Sequence, residues 1–156
     1  SKQGLQLAVL DALRTEFSKR LRGSERSTRN MELLRSFLRM FVGSLGKANS
    51  NTQVFSALLS EAIFQDQEFA AGVAAMNDAT IEFVRECLAA EQARGARFID
   101  DDLDSLATLI VANLRGIAQI FSINDSARTR PLDTQKLLQL CEAMLDRMVE
   151  PDYQKQ

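Results

Sequence analysis

Apolar residues recur at every third or fourth position through most of this 156-residue chain, which is the period of an α-helix. The alternation of apolar and polar residues that is typical of a half-buried strand is not seen. The pattern predicts six helices joined by polar loops, at about residues 2–22, 28–46, 52–65, 67–94, 105–123 and 134–149. We therefore expect one all-α domain that covers residues 1–156.

Residues suited to helix ends flank these segments. Short side chains that accept a hydrogen bond from a first-turn N–H predict N-caps at Ser1, at Asn51 or Thr52, at Asp104 and at Asp133. Gly95 follows the fourth helix, where a glycine often closes the last turn in the left-handed conformation. Within the first helix, an i+4 stripe predicts the packed face, with Leu10 beside it: Leu5, Val9, Leu13, Phe17 and Leu21.

The composition narrows the possible chemistry. Hydrophobic residues make up 46% and charged residues 26% of the chain, as in globular proteins. The chain has no histidine, which excludes Ser-His-Asp and Cys-His nucleophiles and histidine-ligated zinc. We expect no enzyme activity, no cofactor and no metal. Cys87 and Cys141 are interpreted as ordinary thiols in a reducing cytoplasm, and no apolar run approaches the roughly 20 residues of a membrane span.

Charge is distributed unevenly along the chain. Residues 1–47 carry a net charge of +6, whereas residues 48–156 carry −8. The basic residues of the first part are interpreted as solvated surface or as a face nearer to a polyanion such as DNA: Arg14, Lys19, Arg20, Arg22, Arg26 and Arg29. The acidic run Asp100–Asp104 is expected to be a solvated turn that caps the fifth helix.

Large apolar side chains on the middle helices, with a few polar groups among them, predict a small-molecule cavity. The candidate ligand-binding residues are Phe37, Phe41, Phe55, Leu59, Met76, Thr80, Phe83, Asn113 and Ile117. Stripes of Phe and Met more often form an ordinary packed core, which is the alternative interpretation. Asn77 and Gln119 are further polar groups on these helices.

The last two helices carry more apolar surface than one bundle covers, which predicts a homodimer built as a two-fold four-helix bundle. The candidate interface residues are Leu109, Ala112, Gly116, Ile120, Leu137, Cys141, Met144 and Met148. The alternative is that both faces of these helices are buried within one chain.

Several short motifs, in this order, resemble those of TetR-family transcriptional regulators. Ser-Lys-Gln-Gly-Leu at 1–5 is similar to the start of the family's fourth helix, with Gln3 where Glu is usual. Glu-Gln-Ala-Arg-Gly at 91–95 resembles the end of its long helix. Leu-Asp-Ser-Leu-Ala at 103–107 and Leu-Arg-Gly-Ile-Ala at 114–118 are similar to the start and the dimer region of the helix that follows.

This resemblance implies a cytoplasmic effector-binding and dimerisation domain. In the family, a small and usually hydrophobic ligand releases DNA by changing the separation of two recognition helices, which is the behaviour of a repressor. No helix-turn-helix precedes Ser1, so we expect DNA binding only through a missing N-terminal domain. A ligand-free helical dimerisation or interaction module is the alternative function.

Overall fold

The computed structural model describes residues 1–22, 29–47, 50–64 and 66–149. Within these ranges the regular structure is helical throughout, with one isolated β-bridge between Phe98 and Val149. The six helices are α1 (Lys2–Arg22), α2 (Met31–Ser44), α3 (Asn51–Ala62), α4 (Gln67–Ala93), α5 (Leu103–Ala127) and α6 (Thr134–Met148). The prediction of a six-helix, all-α chain is confirmed.

The structure confirms two of the four predicted N-caps. The Ser1 hydroxyl accepts a hydrogen bond from the Gly4 N–H at 3.1 Å, and the Asp133 carboxylate accepts one from Lys136 at 2.9 Å. Gly95 adopts a positive φ of 101° after α4, as predicted. For α3 the prediction is wrong, because Ser50 caps the helix and accepts from Gln53 N–H at 3.2 Å.

The cap of α5 is Asp102, not the predicted Asp104. Its carboxylate accepts hydrogen bonds from the Ser105 N–H and the Ser105 hydroxyl, at 3.1 and 2.6 Å. These bonds favour the ionised form and lower the pKa of Asp102. The helix also continues beyond residue 123 to Ala127, and its C-cap is Arg128, whose φ of 51° is left-handed. Helix α5 is therefore longer than predicted at both ends.

Most of the hydrophobic core is one group of buried side chains, which we call the large cluster. It joins α2, the C-terminal half of α4, α5 and α6. Its central side chains have at most 1% of their surface exposed: Leu34, Leu38, Val84, Cys87, Leu88, Ile110 and Leu145. Side chains buried to this degree give this part of the molecule its main hydrophobic stabilisation.

A second group, the small cluster, joins α1, α3 and the N-terminal half of α4. Its buried members are Leu10, Leu13, Phe55, Leu58, Phe69, Val73 and Met76. Among the α1 side chains that the structure describes, which end at residue 19, only Leu10 and Leu13 are buried, and Leu5 is 67% exposed. The predicted stripe on α1 is therefore wrong at Leu5, and the packed face is rotated towards Leu10. The predicted stop after residue 22, the side chains of residues 20–22 and the chain after residue 149 lie outside the described part.

Two ion pairs and one backbone hydrogen bond also hold α6 in place. Arg39 of α2 pairs with Glu142 of α6 at 2.9 Å, and Arg35 pairs with Asp146. The N–H of Ile99, in the α4–α5 connection, donates to the Met148 carbonyl at 2.9 Å. Helix α6 is thus fixed along α2 and at its C-terminal end.

Three residues interpreted from the sequence as surface charge or ordinary thiols are buried. Cys87 and Cys141 are both buried and unbridged, and burial raises the pKa of the Cys87 thiol to about 11. Arg29 is only 8% exposed, pairs with Glu86 at 3.3 Å and lies over the Phe83 ring at 4.7 Å. The expectation that Arg29 is surface charge is therefore wrong. Arg14 and Lys19 are exposed as expected.

Candidate ligand-binding cavity

A cavity of about 800 Å³ lies between the two clusters. Its wall takes Phe37, Phe41 and Phe83 from the large cluster and Phe55 and Met76 from the small cluster. The volume falls within the range of roughly 300–1,000 Å³ that small-molecule sites occupy. Five helices contribute to this wall, so the cavity depends on how the two clusters are placed against each other.

Aromatic rings form the inner wall. The ring centroids of Phe37 and Phe83 are 5.2 Å apart, and those of Phe37 and Phe41 are 6.3 Å apart, both pairs tilted. Such tilted pairs are favourable arrangements of aromatic quadrupoles. This wall is therefore apolar and well packed behind its surface, and it suits an apolar ligand.

Helix α1 reaches the cavity through Leu13 and Phe17. Leu13 is buried in the small cluster, whereas Phe17 is half-buried and packs against both clusters. A ligand in the cavity would touch α1 directly. Neither residue was predicted to line the site, because a helical period does not show which neighbour a stripe faces.

The rim of the cavity is polar. Ser44, Thr52 and the exposed Lys47 lie here, where α2 ends and α3 begins. The Ser44 hydroxyl donates to the Phe41 carbonyl at 2.7 Å and lies 2.6 Å from the Thr52 hydroxyl. Because a hydroxyl has one hydrogen, Thr52 is the donor in the second contact. The rim offers hydrogen-bonding groups beside the apolar wall.

Arg115, on α5, is the second cationic residue in the described lining. Its Nε donates to Asn77 Oδ1 at 3.2 Å and its Nη2 donates to Thr80 Oγ1 at 3.1 Å. Its guanidinium carbon lies 4.3 Å from the centre of the Phe55 ring and 5.9 Å from that of Phe41. The side chain is thus fixed between α3 and α4 by two hydrogen bonds and an aromatic face.

Burial affects the charge of this arginine. Burial alone lowers the pKa of Arg115 to about 10, because desolvation disfavours the charged form. The guanidinium is still protonated at neutral pH. The sequence offered one signal that points to this residue, since Arg115 is the only charged residue between Ser105 and Asn124.

The structure brings five of the nine predicted ligand-binding residues to the cavity: Phe37, Phe41, Phe55, Met76 and Phe83. The other four do not line it. Thr80 is buried and instead orients Arg115. Leu59 and Ile117 are half-buried and pack against the small and the large cluster, respectively. Asn113 is exposed and donates to the Leu109 carbonyl at 2.8 Å, because it lies on the outer face of α5.

The outer face of α5 is apolar and open. Leu109 is 49% exposed and Ile120 is 54% exposed, and Ala112 is exposed between them. Gly116, half-buried, has no atom within 4 Å of the position that a Cβ would take. The α5 residues predicted at a dimer interface therefore lie on one accessible face.

The predicted residues of α6 are placed differently. Cys141 and Met148 are buried in the large cluster, so neither offers a surface to a partner. Leu137 and Met144 are half-buried. The predicted stripe faces the chain's own core because α6 packs along α2, and the apolar residue that α6 exposes instead is Leu140, at 55%.

One helix in the described part of the chain, α5, is long and apolar enough to cross a membrane by length and composition. No uninterrupted apolar run in α5 reaches that length, because Arg115 lies inside the helix, but the mean hydropathy of α5 is high enough. Core helices of globular proteins pass the same test. Its most apolar window is 33% buried, which again shows how much of this helix remains uncovered.

Comparisons with known protein families, with curated proteins and with solved structures give no match for this chain.

Proposed function

We propose that this chain is the effector-sensing and dimerisation domain of a one-component transcriptional regulator of the TetR type. The observation that carries the proposal is the cavity of about 800 Å³ whose wall includes Leu13 and Phe17 of α1. In such a protein the DNA-reading domain is joined to the N-terminal end of α1. A ligand in this cavity would thus contact the helix that leads to the DNA.

The proposed mechanism is a shift between two positions of α1. The ligand must bind one position more tightly than the other, since equal affinity for both shifts nothing. Helix α1 suits this role because, over residues 2–19, Leu10 and Leu13 are its buried side chains. A small displacement at Phe17 becomes a larger one at Lys2, because a helix moves as a rigid body.

We further propose a homodimer in which α5 and α6 of each chain form a four-helix bundle. The open apolar face of α5, with Leu109 and Ile120, supports this arrangement. Ala112 and Gly116 leave room for a second helix to approach closely. The domain binds its ligand without transforming it, and it reaches DNA only through the domain to which it is joined.

The test uses the complete 156-residue chain and four probes of similar size: decanoate, decanamide, decan-1-ol and 2-naphthol. A ligand that binds the folded chain raises its free energy of unfolding by RT ln(1 + [L]/Kd), which is about 2.7 kcal/mol at 100 Kd, and so raises the melting temperature. The movement of α1 is then measured by electron spin resonance, as the distance between two spin labels at Ala8→Cys, one on each chain of the dimer. Cys87 and Cys141 are replaced by serine so that only this position is labelled. Ala8 is exposed, so its label leaves the packing intact.

The proposal predicts that at least one probe stabilises the chain and changes the distance between the two labels. The matched control is a label at Ala143→Cys, an exposed position on α6, whose distance stays constant. Stabilisation without a change at Ala8 would contradict the lever mechanism. No stabilisation by any probe would favour the ligand-free interaction module.

A further inference from the structure

We infer that the cavity takes an amphipathic anion, a carboxylate attached to an apolar chain or ring, and that Arg115 binds the carboxylate. The inference rests on the proposed sensing function and specifies its ligand class. Its basis is that Arg115 lies in an aromatic cavity and that all of its protein partners are neutral.

The partners of Arg115 are an amide, a hydroxyl and two rings: Asn77, Thr80, Phe55 and Phe41. No carboxylate of the described residues forms an ion pair with it. Arg115 is half-buried, and removing a charge from water is costly unless the charge is paired. This arrangement therefore leaves a positive charge to be neutralised by something that enters the cavity.

The geometry leaves the donors that a carboxylate needs. A guanidinium has five N–H donors, and Arg115 uses two of them, one on Nε and one on Nη2. Both hydrogens of Nη1 and one of Nη2 remain available. Asn77 and Thr80 fix the opposite edge of the group, and Thr80 itself is fixed because its hydroxyl donates to the Met76 carbonyl at 2.9 Å. The guanidinium is thus held in position before a ligand arrives.

The rest of the wall determines the other part of the ligand. Phe37, Phe83 and Met76 surround the space with apolar surface that can hold an alkyl chain or an aromatic ring. The cavity's other described cation, Lys47, is exposed at the rim, where water screens its charge. The wall therefore favours one anionic group at Arg115 and an apolar body elsewhere, in preference to a polyanion such as a nucleotide.

The experiment compares carboxylates with their primary amides, which have the same shape without the charge. Calorimetric titration of the complete chain with decanoate and decanamide, and with 2-naphthoate and 2-naphthamide, measures each affinity at pH 7.5. We expect at least one carboxylate to bind at least about tenfold more tightly than its amide, as charge-assisted hydrogen bonds are stronger than neutral ones. We also expect no proton uptake on binding, measured as equal heats in buffers of different ionisation enthalpy.

Three variants assign the effect. Arg115→Gln should reduce carboxylate affinity at least about tenfold and leave amide affinity within about threefold. Arg115→Lys should keep part of the preference, which shows charge recognition even if the glutamine variant folds poorly. Lys136→Gln is the matched control, since Lys136 is an exposed cation on α6 outside the cavity lining, and it should change neither affinity by more than about twofold.

Each remaining outcome overturns the inference. Equal binding of carboxylate and amide, or a preference that persists in Arg115→Gln, would refute it while the sensing function stands. Uptake of one proton would show that the acid binds in its neutral form, which also refutes the ion pair. If neither member of either pair binds, this inference fails, and the sensing function fails with it only if decan-1-ol and 2-naphthol do not stabilise the chain either.

Discussion

The two clusters on either side of the cavity differ in how they hold their helices. In the large cluster, α2, α5 and α6 surround the C-terminal half of α4, and its central side chains are fully buried. In the small cluster, α1 and α3 lie on the N-terminal half of α4, and α1 is anchored by Leu10 and Leu13. The large cluster, with helices on several sides of α4, is therefore called the frame. The small cluster, with α1 and α3, is a layer attached to it.

This difference explains why the cavity lies where it does. Helix α4, with 27 residues, passes through both clusters and spans about 40 Å. Met76 and Phe83 line the cavity from either side of Thr80, at the level where the small cluster ends and the large cluster begins. A cavity at such a junction can change shape if the attached layer shifts, whereas one inside the frame could not change without unfolding it.

The largest expected effect compares one leucine from each cluster. Leu145→Ala, at a side chain with no exposed surface, should reduce the free energy of unfolding by about 2–5 kcal/mol, because the surrounding helices cannot close the void. Leu10→Ala removes the same atoms from α1, which can settle onto α4, so its cost should be smaller. Urea unfolding of both variants at one protein concentration measures the difference.

Hydrogen exchange adds a second measure of the same comparison. In Leu10→Ala, amide exchange should accelerate in α1 while α2, α4, α5 and α6 stay protected, since a weakly held element opens locally. Equal losses of stability, with equally faster exchange in all helices, would show that the two clusters open as one unit. The lever mechanism would then lose its physical basis.

The second prediction concerns the outer face of the frame. Ile120→Glu should raise the dimer dissociation constant at least about tenfold, because a two-fold interface places the new charge at two positions. Leu5→Glu is the control, since Leu5 is 67% exposed on α1, which packs in the small cluster and not on this face. Sedimentation velocity over a range of concentrations measures both. If Ile120→Glu leaves the association of the chain unchanged, the chain does not dimerise through α5.

Much of the fold follows from local sequence. The 3.6-residue period identified all six helices, and Ser1, Asp133 and Gly95 marked ends that the structure confirms. Where two candidate caps lie close together, as at Asp102 and Asp104, local sequence did not decide. The choice depends on a turn in which Asp100 accepts a hydrogen bond from the Asp102 N–H at 2.8 Å.

The site was harder to predict, because it depends on how each helix is rotated about its axis. Phe37 and Phe41 were predicted from their size and spacing, because large apolar side chains on the core-facing side of a helix either pack in the core or line a cavity. Asn113 and Cys141 show the limit of this reasoning, because one faces outward and the other faces its own core. Arg115 was not predicted to line the site, because a charged residue within an apolar helix does not show which neighbouring helix its side chain contacts.

The smallest expected effect tests the contact between α1 and α4. A Cβ on Gly72 would lie 2.6 Å from Cδ2 of Leu10, so Gly72→Ala forces the two helices apart or Leu10 into another rotamer. Overpacking costs roughly 1–3 kcal/mol, partly offset by about 1 kcal/mol from the better helix propensity of alanine. The net loss of stability should be at most about 2 kcal/mol, measured by urea unfolding.

A double substitution separates the clash from other effects of Gly72→Ala. In a Leu10→Ala background the same change should cost less, by at least about 0.5 kcal/mol, because the clashing methyl group is gone. Gly43→Ala, with no atom within 4 Å of the new methyl group, is the control and should be neutral or stabilising by up to about 1 kcal/mol. If the losses in free energy of unfolding at Leu10 and Gly72 are additive, α1 does not pack against α4 at this point. If the clash instead displaces α1, Gly72→Ala should change the distance between labels at Ala8 without any ligand, and so imitate the shift that the sensing mechanism requires.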